Sequence, residues 1–179
     1  HRIGPDLALR ASVYHWTMHD IVTLGIDAAS GLTQYQSGEK VKAQGLELSA
    51  DKTWASGARA RGSVSVQDVA YAAGGGLLNS PKLLGKFNLS APLPWAGLRA
   101  GYELRYDSQR LTLDGSKLGG MAVSNLHLST EALAKGLELS LGIQNLSAAR
   151  YAQPGSRNNW QNALEQDGRS VSARLDYRF

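Results

Sequence analysis

The chain of 179 residues contains no cysteine, which excludes disulfides and thiolate metal sites. It also lacks any run approaching the roughly 18 apolar residues that a membrane-spanning helix needs. Hydropathy alone would therefore place it among soluble proteins. That inference is unsafe for a barrel strand, which needs an apolar residue only at every second position. No basic run is present: the formal net charge is +4, but the arginines are scattered singly, so no nucleic-acid partner is expected. No apolar leader is visible between Arg2 and Leu9. An exported chain needs one, so either it was cleaved or this is an internal piece of a longer protein. The strand pattern favours the second.

Chemistry-bearing motifs are missing as well. His15 and His19 are four residues apart, and on a strand they stand about 13 Å from one another. Neither a Glu-x-x-His partner nor a cysteine accompanies them, so no metal is expected. Gly74-Gly-Gly76 lacks the Lys-Ser/Thr of a phosphate loop and reads as a loop tip. No Ser-His-Asp set can be placed in one neighbourhood. Neither an enzyme nor a cofactor is expected.

What the chain does have is alternation. From Arg169, the terminal segment places Val171, Ala173, Leu175, Tyr177 and Phe179 on one face. Ser170, Ser172, Arg174, Asp176 and Arg178 take the other. A period of two means a strand with unlike faces. The pattern recurs in Leu137 to Gln144, Leu98 to Asp107, Lys86 to Leu93, Ala58 to Gln67 and Leu46 to Asp51. It is present from Leu7 to Val13, after which Trp16, Met18 and Ile21 change parity, and it is weaker from Met121 to Leu133. Eight strands follow, near 6–27, 32–54, 58–71, 83–93, 97–113, 119–133, 136–146 and 168–179.

Connections alternate in length. Ala55-Ser-Gly57, Pro94-Trp-Ala96 and Ala134-Lys135 are tight, with Gly57, Gly97 and Gly136 available for positive φ. Ala72 to Lys82, Asp114 to Leu118 and Ser147 to Asp167 are longer. Short turns at one end and long loops at the other mark outer-membrane barrels, and they put the C-terminus at the periplasmic, short-turn end. Trp54, Trp95, Tyr177 and Phe179 then share one rim as an aromatic girdle, and Tyr14, Trp16, Tyr71 and Tyr106 could form part of the other.

Alternation does not itself say which face points outward. Three features favour lipid on the apolar side: charges confined to one face, alanines that cover lipid but fill a small core poorly, and aromatics at strand ends. An arginine at the bilayer midplane costs about 2–4 kcal/mol, so Arg99, Arg105, Arg174 and Arg178 must face a lumen or its contents. The reading is an all-β, antiparallel up-and-down transmembrane β-barrel.

Short motifs then carry a likeness. Gln44-Gly-Leu-Glu-Leu-Ser-Ala50 resembles the Gly-hydrophobic-Glu strand of TonB-dependent outer-membrane receptors. Gly142-Ile-Gln-Asn-Leu146, with Arg150-Tyr151 and Pro154-Gly155, resembles their Asn-Leu-Phe-Asp…Tyr segment. Asp167 to Val171, leading into Leu175 to Phe179, resembles their closing strand. Ser147-Ala148 replaces the usual Phe-Asp, a departure at the outer end of the penultimate strand.

The resemblance implies that residues 1–179 are the C-terminal portion of a barrel of about 22 strands. The chain would start near a periplasmic turn at Gly4-Pro5-Asp6, with the plug domain and TonB-contact segment absent. It implies a Gram-negative outer-membrane location, with the lipid bilayer, the plug, the remaining strands and the TonB complex as partners. The cargo would be a scarce nutrient such as a ferric siderophore or cobalamin. Phe179, with Tyr177 and Leu175, becomes the signal read by the barrel-assembly machinery. Asn158, Asn159, Trp160 and Gln161 form a candidate ligand-contact loop. Arg99, Glu103, Arg105, Asp107, Arg174 and Arg178 are lumen-facing, most of them pairing with one another or meeting the plug. Two alternatives stay open. One is a self-contained eight-stranded outer-membrane barrel, as an anchor or lipid-modifying enzyme. The other is a soluble lipocalin-like binding barrel.

Overall fold

A computed structural model describes residues 2–95, 97–156 and 158–178, with only the backbone described at Arg2 and residues 131–133. The strands in chain order begin with β1 (Arg2–Ile3), β2 (Leu7–Ile26), β3 (Thr33–Thr53), β4 (Arg59–Tyr71), β5 (Leu83–Pro92) and β6 (Leu98–Asp107). β7 (Arg110–Leu111), β8 (Lys117–Leu118), β9 (Met121–Ala134) and β10 (Leu137–Gln144) follow. β11 (Ala152–Pro154), β12 (Ala163–Glu165) and β13 (Ser170–Tyr177) complete the set. Among the described residues there is no helix. Nine strands form one antiparallel sheet in the order β1-β2-β3-β4-β5-β6-β9-β10-β13. β7–β8 and β11–β12 are separate small hairpins. The sheet is open, with β1 and β13 at its ends.

Each long strand lies where alternation placed it, and the turns explain the direction changes. Gly57, Gly97 and Gly136 have φ of 80°, 60° and 75° in the short connections. An added Cβ on Gly136 would lie 2.2 Å from the Arg178 carbonyl oxygen, so that turn has no room for a side chain. Three differences from the sequence reading are local. β1 is an additional strand, joined through the turn at Gly4-Pro5-Asp6 and paired with β2 at Arg2↔Ala8 and Ile3↔Leu7. The segment expected as strand 97–113 stops at Asp107 and re-forms as β7–β8. The long connection after β10 holds the β11–β12 hairpin, where only loop was expected.

Register joins the apolar positions into continuous rows. Leu89, Tyr102, Leu126, Ile143 and Val171 lie opposite one another in turn across five strands. Ala91, Ala100, Leu128, Leu141 and Ala173 form the next row. Val13, Leu46, Val66 and Leu83 form the row nearest the loop end on β2 to β5. Within this band, among the described residues, the charge of apolar parity is Lys52, at the short-turn end and 3.9 Å from Asp6. On β6 the band runs from Leu98 to Tyr106, nine residues, which matches the roughly 9–11 that a tilted strand needs to cross a bilayer.

The buried apolar residues are few: Val41, Ala43 and Met121. Leu46, Leu48, Val64, Val66, Phe87, Leu89, Leu141, Val171 and Leu175 are all exposed. A soluble lipocalin-like barrel would enclose this face, and here nothing covers it. Hydrocarbon is the solvent that suits it.

Beyond Val13 the faces exchange character. β2 and β3 run 20 and 21 residues, about twice a membrane span. In the excess, Tyr14, Trp16 and Met18 share the polar parity of Arg10 and Ser12 and lie opposite Gly45, Ala43 and Val41. His15 and Thr17, opposite Gln44 and Lys42, take the outward parity. Pairing is regular as far as Met18, so the parity change seen in the sequence is not a slip. It marks where the strands leave the apolar band. The reading of a second girdle is corrected accordingly. Tyr14, Trp16 and Tyr71 lie on the inner parity, and of the four only Tyr106 stands on the apolar face.

Leu126→Arg should therefore destabilise the barrel by about 2–4 kcal/mol, the midplane cost of an exposed arginine. His127→Arg, one residue along on the other face, should change stability little. Reversible denaturant unfolding in bilayers checks both, and equal effects would contradict the assignment of faces.

Candidate functional site

The polar face carries charges in short, locally satisfied sets. Asp51 accepts from Arg59 Nη2 at 2.6 Å and from Arg61 Nε at 3.0 Å. Arg105 Nη2 donates to Asp107 at 2.7 Å, Arg174 Nε to Asp176 at 2.6 Å, and Arg178 Nη2 lies 3.0 Å from Glu138 Oε1. Glu103 accepts from Asn125 Nδ2 at 2.9 Å. Arg99 donates to Ser90 Oγ at 2.7 Å and to the Gly57 carbonyl at 3.3 Å. These pairs join neighbours on adjacent strands, or residues two apart on one strand, because that spacing puts both partners on one face. Arg99, Glu103, Arg105 and Asp107 all lie on β6, whereas Arg174 and Arg178 lie on and just after β13.

At the loop end the connections fold back over this face. Glu103, Arg105, Met121, Val123 and Asn125 of the sheet, with Tyr151, Gln153, Gln166 and Asp167 of the final loop, line a cavity of about 400 Å³. Its wall mixes one guanidinium, two carboxyls, several amides and a phenol. That set can donate to, and accept from, a polar ligand at many points.

Two residues build this cap, and sequence reading assigned a role to neither. Asn145 is 3% exposed and sits at φ 51°, a conformation that asparagine tolerates better than most residues. Its Oδ1 accepts from Ala149 N at 2.9 Å and its Nδ2 donates to the Ala149 carbonyl at 2.8 Å. Its own N–H donates to Asn125 Oδ1 at 2.9 Å. The turn thus closes on Asn145 itself, despite the Ser147-Ala148 departure. Arg110 is 4% exposed and reaches three connections at once. Nη1 donates to Gln153 Oε1 and, at 3.5 Å, to Asn79 Oδ1, and Nη2 donates to the Ala152 carbonyl at 3.2 Å. Parity could have flagged it: an even-numbered arginine cannot continue β6, whose even positions are the apolar ones.

The four residues expected as a ligand-contact loop lie together between β11 and β12. Asn159 Oδ1 accepts from Ser156 N and from Ser156 Oγ, both at 2.7 Å, so this amide closes the turn. Asn158 N donates to Ser156 Oγ at 3.4 Å. Trp160 is fully exposed, and Gln161 is exposed beside it. Trp54 and Trp95, both exposed, flank short turns at the rim where β13 ends. Leu175 and Tyr177 stand exposed on the apolar face, and Phe179 lies outside the described residues.

The β7–β8 turn is locked by Asp114. Its Oδ1 accepts from Thr112 Oγ1 at 2.7 Å and from Ser116 N at 2.9 Å, and its N–H donates to Asn162 Oδ1 at 3.4 Å. The Thr112 hydroxyl, then the Ser116 amide and hydroxyl, hold the carboxyl well below the usual carboxylate range. A depressed value stabilises the folded turn fully above the ordinary carboxylate pKa, about 3.9, and the contribution fades as pH falls through the folded value. Amide exchange at Gly115 and Ser116 should stay slow at pH 5 and quicken well below pH 4 relative to the rest of the hairpin. Asp114→Asn should remove that acid-dependent step.

Comparison with known proteins follows the same lines. A family model described as "TonB dependent receptor-like, beta-barrel" matches residues 3–146. No curated protein matches the chain. The ferric yersiniabactin uptake receptor FyuA from Yersinia pestis superposes with TM-score 0.81 at 18% identity, covering 99% of this chain and 28% of its own. The FrpB iron transporter from Neisseria meningitidis gives 0.75 at 18% identity, covering 99% and 30%. The copper transporter OprC gives 0.74 at 19% identity, covering 98% and 29%. The chain therefore spans under a third of these structures. With an open alternating sheet, an uncovered apolar band, a paired polar face and a family match over most of its length, the chain belongs to the TonB-dependent receptor-like β-barrels of the Gram-negative outer membrane.

Proposed function

We propose that residues 1–179 are the C-terminal part of the barrel of an active importer. Its plug domain and remaining strands, supplied by the rest of the protein, complete a barrel of about 22 strands. The TonB complex drives uptake through that full-length protein. The observation that carries this reading is the cavity of about 400 Å³ between the polar face and the final loop. Its lining by β6, β9 and the final loop supports the reading of the polar face as the inner wall of a receptor, overhung in part at the loop end.

The cargo we favour is a ferric siderophore. Tyr151, Gln153 and Gln166 present several hydrogen-bonding groups, which suit an oxygen-rich chelate, while Arg105 is already paired with Asp107. Trp160 adds a flat apolar contact for its organic part. FyuA and FrpB carry iron in their names and OprC carries copper, so fold leaves the metal open. Cobalamin is the other cargo the test includes. The plug is the natural partner of the polar face, Arg99 and Arg174 included.

The test is uptake by cells carrying only this receptor, using labelled ferric siderophores of several chemistries and cobalamin, with and without TonB. One substrate should accumulate in a TonB-dependent way. No receptor-dependent uptake of any of them would remove the proposal.

Assembly supplies a second test. Phe179, together with Tyr177 and Leu175 of the apolar face, is proposed from the sequence as the signal for the barrel-assembly machinery. Deleting Phe179 from the full-length receptor should lower its outer-membrane yield several-fold, whereas an unchanged yield would sink the idea.

A further inference from the structure

Three loop-end connections meet at one buried cation. Arg110 opens β7 and comes from the connection after β6. Asn79, which it meets through Oδ1, belongs to the connection after β4, and Asn79 N donates in return to the Leu111 carbonyl at 2.9 Å. Gln153 and Ala152 belong to β11, the root of the hairpin that carries Trp160. Asp107, 1% exposed, lies beneath with Oδ2 4.0 Å from Arg110 Nη1. Among the described residues, Arg110 Nε is buried without a partner. The guanidinium is therefore held by what its two terminal nitrogens bridge.

Among the described residues the hairpin's other attachments are few: just beyond it the Asp167 carbonyl accepts from Asn145 Nδ2 at 3.4 Å, and β11 packs beside β8. Asn162 joins it to the β7–β8 turn at 3.4 Å to Asp114 N and 3.4 Å to Ser116 Oγ. Gln153 Nε2 lies 3.7 Å from Met121 Sδ on the sheet. All other contacts of β11 with β12 are internal to the hairpin and would move with it. A short two-stranded hairpin is not stable alone in water, so its position depends on its root.

We infer that Arg110 is a positioning residue for cargo binding: it holds in place the β11–β12 hairpin, whose root residue Gln153 lines the polar compartment and whose tip carries Trp160. The inference rests on the reading of that compartment as the cargo site. A lysine cannot replace it, because one ammonium cannot present two separated nitrogens to Asn79, Gln153 and the Ala152 carbonyl together.

The full-length receptor tests this with Arg110→Ala, Arg110→Lys, Asn79→Gly and Trp160→Ala. Asn79→Gly removes one Arg110 acceptor outside the cavity, at a positive φ that glycine tolerates, and keeps the test available if the arginine variants fail to assemble. In both Arg110 variants, amide exchange in residues 151–166 should quicken at least tenfold and KM for uptake should rise about tenfold, with Vmax unchanged. Asn79→Gly should shift both in the same direction by less. Trp160→Ala should raise KM and leave exchange alone. Wild-type exchange and KM in the Arg110 variants would overturn the inference. So would faster exchange with an unchanged KM while Trp160→Ala raises KM, an outcome that leaves the cargo reading standing. If neither Arg110→Ala nor Trp160→Ala moves KM, the reading of the hairpin as a cargo contact fails, and the inference falls with it.

Discussion

Within the apolar band eight long antiparallel strands keep one parity, and everything else in the sheet depends on that register; the one-residue shifts of β2 against β3 lie beyond Met18, outside the band. Pairing between β9 and β10 shifts between Leu137↔Ala134 and Leu139↔Thr130. The offset is even, so the faces survive it. A slip of one residue anywhere would turn a whole strand over. On β6 it would expose Arg99, Glu103, Arg105 and Asp107 to hydrocarbon. Arg99 and Arg105 stand near the two ends of the β6 band, where an exposed arginine costs at most about 1 kcal/mol, and Glu103 stands near its middle. The charges on the inner face thus add to the register preference that the leucines on the outer one set.

The same solvent dictates how the sheet must continue. In hydrocarbon an unpaired backbone N–H or carbonyl costs several kcal/mol, so a membrane sheet tolerates no free edge. Here β1 covers only Leu7 and Ala8 of β2, and β13 has a partner on one side only. Both edges call for neighbouring strands. The self-contained eight-stranded barrel would have to pair them with each other, and the sheet does not. A chain that covers 99% of itself but 28% of FyuA fits the need for partners supplied by more of a longer barrel.

How much of this was legible beforehand follows from what period two can encode. Strand positions were, because each strand of the band meets two different solvents and must write that difference at every residue. The ion ladder was legible as a face but not as pairs, since Arg59 and Arg61 sharing Asp51 is a matter of cross-strand register. Tyr14, Trp16 and Tyr71 were misplaced because a girdle was sought in aromatics near strand ends. Outside the bilayer both faces meet water or protein, and the inner face can be the apolar one. Residues 108–113 fall within the strand expected near 97–113, although Arg110, at an even position, breaks its alternation; the strand ends at Asp107 instead.

The loop cap was illegible for a different reason. Its order comes from a few long-range polar contacts rather than from a repeated local preference. Arg110 is 31 residues from Asn79 and 43 from Gln153, and no periodicity links them. Burying a guanidinium is costly unless its hydrogen-bonding groups are matched, and a single lost partner leaves a charge stranded. Arg110 meets that cost with one carboxylate at 4.0 Å and three neutral acceptors, and leaves Nε unmatched. The sheet and the cap therefore write their order differently: the sheet in an alternation that repeats in every strand, the cap in one buried cation and partners far away in sequence.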